Sequence, residues 1–188
     1  MTQTATKARH DAPDLTSGRW TADLAYSSIH FKIGHPRVIK VRGFMPLTGG
    51  YLEVGQSLAD STVDLRFDPA GVRTGVGRRD AMLLGPNFFD VDSYPVWSFR
   101  SSLITRLHHH FSVVGELTMH GMSHPVSFTA QFDGLDVLVD DRSAAVFTAD
   151  AEIDRFDWGL TWTEDQAGSR VRSARDVAIG VHLVVVRQ

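Results

Sequence analysis

The sequence predicts an all-β protein, either an antiparallel barrel or a sandwich, with one short helix. From Trp20 onward, apolar residues recur with a period of two far more often than with a period of 3.6. Segments long enough for a helix and free of breakers are rare, and strand and helix patterns do not alternate along the chain. These observations favour an antiparallel β-fold over an α/β fold.

The first predicted strands each have one apolar and one polar face. In residues 29–33 and 63–67, apolar side chains alternate with polar or charged ones. The same alternation covers residues 111–119 and 126–132, with "HGMSHP" between them. These two segments predict a β-hairpin with its turn at residues 120–125.

The later strands differ in how many of their faces must be buried by other parts of the protein. Residues 145–153 alternate in the same way, whereas "RDVAIGVHLVVV" at 175–186 is apolar on both faces. Such a strand requires the interior on one side and a helix, a loop or a second subunit on the other. We therefore predict a homodimer contact at this strand.

One short helix is predicted in "RRDAMLLG", Arg78 to Gly85. The segment is long enough for two turns, and Gly85-Pro86 ends it.

Length and composition predict one domain behind a polar leader. The 188 residues suit a single core, and no linker or internal repeat is visible. Residues 1–18 are polar and aperiodic, so we expect them to be disordered, with one domain over residues 19–188. No apolar run reaches the length of a signal peptide or a membrane span, and we expect a cytoplasmic protein.

Charge and motifs exclude several function classes. The net charge of −3 with mixed signs argues against a nucleic-acid partner, and the chain has no cysteine for a disulfide or thiolate chemistry. The run from His108 to His110 fits a solvated hairpin tip, and Gly121 makes a helical His120/His124 metal pair improbable. "GVGRRD" lacks the third glycine of a nucleotide loop, and no G-x-S-x-G occurs. We predict no metal and no cofactor.

Several stretches together resemble the YceI-like family of polyisoprenoid-binding proteins. They are "WTADLAYSSIHFKIGH", "VRGFM", "GVRTGVGRRDAMLLGPNFFDVDSYPVWSFRS", "VVGELTMHGMSHPV", "IDRFDWGL" and "DVAIGVHLVVV", in this order from Trp20 to Val186. The resemblance implies an extended, lipocalin-like antiparallel β-barrel around a lipid-holding tunnel. It also implies non-catalytic binding, transport or storage of a polyisoprenoid or another long-chain amphipathic lipid, with transient membrane contact.

The resemblance and the alternating faces together suggest a set of site residues. The expected tunnel lining consists of Phe31, Ile33, Leu65, Phe67, Phe88, Trp97, Phe99, Leu117, Phe128, Ile153, Trp158 and Leu160. The expected polar mouth consists of His35, Arg79, Asp80 and Arg155. Arg79 and Asp80 have two readings, since they can fix a loop by pairing with the backbone or each other, or they can face the ligand.

The sequence also departs from the family pattern. Relatives commonly have histidine where this chain has Tyr26 and Met82, whereas His35 is kept. A polar contact made by those histidines would therefore be lost or changed here.

Two other functions stay open at this point. An enzyme acting on an apolar or isoprenoid substrate would use His35 as acid or base with Asp80 or Asp154, and would need a histidine-carboxylate pair inside the cavity. A purely structural dimer would have a solid barrel without a continuous cavity.

Overall fold

The structure is a closed antiparallel barrel, as the sequence and the family resemblance predict. This computed structural model describes residues 15–34, 41–138, 142–161 and 174–187. The strands are β1 Gly18–Ala22, β2 Ser28–Ile33, β3 Val41–Met45, β4 Leu47–Val54, β5 Thr62–Phe67, β6 Trp97–Leu107, β7 His110–Met119, β8 Met122–Val137, β9 Ser143–Asp154 and β10 Asp176–Arg187. Gly18, at the end of the predicted leader, already belongs to β1, and residues 1–14 lie outside the described residues.

Strand pairing closes the sheet into a ring. The hydrogen-bonded order is β1-β4-β5-β6-β7-β8-β9-β10, and β1 pairs back to β10. β2 continues β1 along the same edge of β10, and β3 pairs with β2 as β4 pairs with β1. The first four segments are therefore two long bent strands, and the barrel has eight strands around its circumference.

The two bends have local causes. Pro46 separates β3 from β4 and has no N–H to donate to a ladder, so pairing is interrupted there. Between β1 and β2 a turn is closed by a hydrogen bond of 2.9 Å from Ser27 N to Asp23 O. The Ser27 hydroxyl then replaces a ladder partner for β10, since it accepts from Val184 N at 3.0 Å.

Helix α1, Gly77–Leu84, confirms the predicted short helix and marks one end of the barrel. We call this end, where β6 starts and β9 stops, the α1 end. The opposite end carries the tips of the β6–β7 and β8–β9 hairpins, and we call it the hairpin end. No helix among the described residues is long and apolar enough to cross a membrane.

The β7–β8 hairpin is present, but its turn is shorter than predicted. Only His120 and Gly121 form it, because Met122 already pairs with Met119. Both turn residues have positive φ, 49° and 73°, which is the backbone twist that a two-residue hairpin favours. The pattern "HGMSHP" suggested a longer turn because Ser123 and Pro125 are turn formers, yet here they lie in the strand.

The three consecutive histidines lie at the tip of the β6–β7 hairpin, as predicted. Leu107 pairs with His110, and His108 has a φ of 55° in the turn between them. All three histidines are exposed. Within the ranges that the structure describes, no group of three His, Cys, Asp or Glu side chains could hold a metal ion.

The outward face of β10 is covered in part by the chain itself. Val184 and Val186 form a small second cluster with Ala144, against which Leu138 and Val146 pack. Ala144 and Val146 are neighbours on the same face of β9, so Leu138 from the β8–β9 connection is the described residue that packs over this cluster, a position that the sequence alone would equally assign to a second subunit. The homodimer stays a prediction.

Replacing Gly115 by alanine is expected to destabilise the barrel by about 2 kcal/mol, within the usual range for overpacking. A Cβ at this position would lie 2.3 Å from the Arg100 carbonyl oxygen of the neighbouring strand and 2.7 Å from the Phe99 ring. Urea unfolding measures the loss. The matched control is Gly49→Ala, because nothing lies within 4 Å of a Cβ there, and a loss as large in the control would contradict the steric explanation.

Candidate functional site

An elongated cavity of about 730 Å³ occupies the barrel interior. Its wall includes Gly34 and Val41 at the α1 end and Leu15 and Leu58 at the hairpin end. Since both ends contribute to one wall, the cavity runs along the barrel axis. This volume lies within the range of small-molecule sites in proteins.

The wall is overwhelmingly apolar and contains most of the predicted lining. Its members among those residues are Phe31, Ile33, Leu65, Phe67, Phe88, Trp97, Phe99, Leu117, Phe128, Ile153 and Leu160. Their role in ligand binding stays a prediction. Strand alternation explains the placement of those on strands, because inward residues of successive strands face the same axis. Phe88 and Leu160 reach the wall from connecting segments instead.

Small residues on β8 and β9 leave space in the interior. Ala130 and Ala149 are direct partners across the two strands, and both line the cavity. On the other side of the barrel the outer part of the Phe31 ring lies over Gly43, where an added Cβ would come within 2.1 Å of the ring. The glycine thereby lets this ring lie against the wall rather than fill the centre.

Trp158 is the one predicted lining residue that the structure places elsewhere. It belongs to the short 3-10 helix Arg155–Trp158 that follows β9, not to a strand, so alternation does not govern its direction. Its indole Nε1 donates to Leu117 O at 2.9 Å, and its ring contacts His124 edge-on. Trp158 is fully buried and packs behind the wall.

The charged side chains of the described wall are Arg79 and Arg155, and no described carboxylate lines the cavity. Arg79 is on α1, and Arg155 directly follows β9, so both guanidinium groups lie at the α1 end. The hairpin end contributes neutral polar groups, Gln56, Ser57 and Ser61. The cavity is therefore electrically asymmetric along its axis.

Arg79 and Asp80 hold the segment before α1 in place. Arg79 Nε donates to the Thr74 hydroxyl at 2.7 Å, and its NH2 group donates to Thr74 O at 2.9 Å. Asp80 Oδ1 accepts from Thr74 N at 2.9 Å and from the Thr74 hydroxyl. Asp80 lies outside the cavity wall because its carboxylate turns toward this threonine, whereas Arg79 combines the architectural bonds with a place in the wall.

Arg155 is a buried arginine, only 2% exposed. Its Nε donates to Ala174 O at 3.1 Å, its NH1 group donates to Leu160 O, and the guanidinium lies 4.9 Å from the centre of the Phe156 ring. Burial lowers the pKa of the guanidinium, partly opposed by the nearby Asp154 carboxylate. Arg155 thus ties the segment after β9 to the start of β10.

Asp154 should make stability at the α1 end sensitive to acid. A hydrogen bond from Arg175 holds the pKa of its carboxyl below the ordinary value of 3.8, and Phe156 N also donates to it. A depressed pKa contributes stability above 3.8 and loses it as the pH falls through the folded value. We expect Asp154→Asn to lower the melting temperature slightly at pH 6 and to have a smaller effect at pH 2. An equal effect at both pH values would contradict the ion-pair explanation.

The remaining expected polar residue and the two family departures lie in different places. His35 lies outside the described residues. Tyr26 is 44% exposed in the connection between β1 and β2, far from α1 in the chain. Met82 is 37% exposed on α1 and lines the cavity, so its thioether stands where the resemblance expects an imidazole.

Sequence reasoning missed the wall residues supplied by loops and small side chains. Leu15 and Leu58 come from segments without strand periodicity, and Ala149 is too small to mark a wall by itself. An apolar side chain in an otherwise polar loop, as at Leu58, is the only signal that could have indicated them.

The fold and the cavity together define a lipocalin-like barrel with an apolar interior site. A model of the YceI-like domain matches residues 20–185, and the chain belongs to this family. A UPF0312 protein from Vibrio parahaemolyticus is 28% identical over 137 residues, covering 71% of this chain and 72% of the relative.

Two solved structures share the fold. BcnA from Burkholderia cenocepacia has a TM-score of 0.72 at 21% identity and covers 87% of this chain and 98% of its own. A polyisoprenoid binding domain from Saccharophagus degradans, implicated in plant cell wall breakdown, has a TM-score of 0.67 at 15% identity, with coverages of 90% and 98%. At these identities the likeness concerns the fold alone.

Proposed function

We propose that this protein binds a long isoprenoid or similar amphipathic lipid without catalysis and serves as its carrier or store. The observation that carries the proposal is the apolar cavity of about 730 Å³ along the axis of a closed barrel. Each methylene buried there contributes about 0.8 kcal/mol before ordering costs, so a long tail gives strong binding without any covalent chemistry. The polyisoprenoid binding domain of Saccharophagus degradans, which has the same fold, supports the lipid class.

The electrical asymmetry of the wall suggests how the lipid is oriented. Arg79 and Arg155 provide N–H donors and positive charge at the α1 end, where a polar or anionic head would be best solvated. The tail would then extend past Phe99 and Phe128 toward Leu58.

The two alternatives fare differently. The continuous cavity argues against a solid structural barrel. The enzyme alternative depends on His35, which lies outside the described residues, and the described part of the wall contributes neither histidine nor carboxylate. No observation favours it over binding.

Native mass spectrometry of protein purified from its own host tests the proposal, followed by organic extraction of anything bound. A co-purifying polyprenyl or long-chain lipid that is released by denaturation is the expected result. Protein that carries no lipid, and takes up none from a mixed lipid extract, would contradict it. The homodimer and the cytoplasmic location also stay predictions, to be tested by analytical ultracentrifugation and by cell fractionation.

A further inference from the structure

Four exposed cations lie on one side of the α1 end of the barrel. They are Lys32 on β2, Arg42 on β3, Arg73 in the segment before α1, and Arg78 in the first turn of α1, and we call them the rim cations. Lys32 and Arg42 lie one residue from Ile33 and Val41, which line the cavity. The segments that carry them, residues 28–33, 41–45 and 73–79, contain no Asp or Glu, whereas the chain as a whole has a net charge of −3.

Strand pairing brings the rim cations together from distant parts of the sequence. Lys32 and Arg42 are direct partners across β2 and β3. An antiparallel bridge joins Phe44 to Arg73, with hydrogen bonds of 2.8 and 2.9 Å between their backbones. The segment that leads into α1 is thereby fixed beside β3, two residues from Arg42.

The rim cations are not neutralised within the described part of the chain. None of the four forms an ion pair with a described carboxylate. The neighbouring Asp80 accepts its hydrogen bonds from Thr74 instead. Like charges placed directly opposite in a sheet, as at Lys32 and Arg42, lower stability. A cluster that is costly to the fold and forms no ion pair with a described carboxylate fits an external anion.

Exposed apolar side chains lie among these cations. Val76, just before α1, is 49% exposed, and Met82 on α1 is 37% exposed. Met82 also lines the cavity, together with Arg79 of the same helix. The outer surface of α1 is therefore continuous with the apolar interior.

We propose that the α1 end of the barrel docks on an anionic lipid bilayer, with the rim cations against the headgroups and Val76 and Met82 in the interface. Cations around a small apolar surface are the combination that binds negatively charged membranes. Because that surface continues into the cavity, a lipid can pass between bilayer and barrel with little exposure to water. The inference rests on the proposed lipid binding and adds the surface through which loading and release occur.

Co-sedimentation with vesicles tests the docking. We expect the wild-type protein to bind vesicles of phosphatidylcholine with phosphatidylglycerol much more tightly than pure phosphatidylcholine. Each cation at a membrane surface is worth about fivefold in affinity, so Arg73→Gln with Arg78→Gln should weaken binding by about 25-fold. Salt at 0.5 M should remove most of the binding, since the screening length then falls to about 4 Å.

The matched control removes the same charge from residues that are not rim cations. Arg100 is exposed on β6, and Arg106 lies beside the β6–β7 hairpin at the opposite end of the barrel. The double variant Arg100→Gln with Arg106→Gln should therefore alter vesicle affinity by less than about threefold. Circular dichroism checks that both double variants stay folded. Equal losses in the two double variants would overturn the assigned surface.

Native mass spectrometry on the same samples separates this inference from lipid binding itself. A wild-type protein that carries lipid but does not bind anionic vesicles would overturn docking and leave the proposed function in place. Loss of vesicle binding in Arg73→Gln with Arg78→Gln, at unchanged lipid content, is the result that supports docking. A wild-type protein that carries no lipid would contradict the proposed function, and with it the docking that rests on that function.

Discussion

Ala149→Trp is expected to weaken lipid binding by about 50-fold while the barrel stays folded. The alanine lies on the cavity wall beside its cross-strand partner Ala130, and an indole there would project into the interior of the barrel. If it displaces three methylenes of a tail, the loss is about 2.4 kcal/mol, or about 50-fold in the dissociation constant. Titration with a fluorescent polyprenyl lipid measures the affinity, and native mass spectrometry measures the lipid retained.

The control for this filling variant places the same ring on the outside. Thr129 directly precedes Ala130 on β8 and is exposed to solvent. Thr129→Trp should leave lipid affinity within about twofold of wild type because it removes no cavity volume. Wild-type affinity in Ala149→Trp, with the variant folded, would mean that the lipid binds somewhere other than this cavity.

Arg155→Met is expected to lower the free energy of unfolding by about 3–5 kcal/mol. The guanidinium donates to the carbonyls of Ala174 and Leu160, and hydrogen bonds of charged groups contribute about 1.5–3 kcal/mol each. Methionine keeps much of the apolar packing beside Phe156 but leaves both carbonyls, of which that of Leu160 is buried, without this donor. Urea unfolding followed by tryptophan fluorescence gives the value.

Two further variants sharpen this result. Arg155→Lys keeps the charge without the planar fork, so it should fall between wild type and Arg155→Met. Arg100→Met removes an exposed arginine and should stay within about 0.5 kcal/mol of wild type. If Arg155→Met also stayed within that margin, the buried arginine would not be what ties the α1 end together.

Local patterns predicted the elements because each depends on near neighbours in the chain. Alternation over 29–33 and 126–132 indicated strands, since a period of two separates an inner from an outer face whichever strand lies beside it. Gly85-Pro86 likewise indicated where α1 ends. The family resemblance added the barrel, which alternation alone left undecided against a sandwich.

Where local chemistry and pairing disagree, pairing decided. Ser123 and Pro125 favour a turn by themselves, but the left-handed conformations of His120 and Gly121 start β8 earlier and commit both residues to the ladder. Trp158 is apolar like its neighbours in the predicted lining, yet its position in a 3-10 helix directs it behind the wall.

The sequence by itself determined the fold class, the helix and most of the apolar wall, because inner and outer faces follow from the order of residues along each strand. Only the tertiary structure decided the volume of the cavity, the partners of Arg79 and Arg155, and the grouping of the rim cations. The cavity and the grouping of the rim cations depend on segments far apart in the chain, such as those of Phe44 and Arg73, which pair only once the barrel has formed. The partners of Arg79 and Arg155 lie nearer in the chain, at Thr74, Leu160 and Ala174, but in irregular segments whose path no periodicity indicates. A local sequence pattern reports only on residues close together in the chain or in regular strands, so it could not have predicted these contacts.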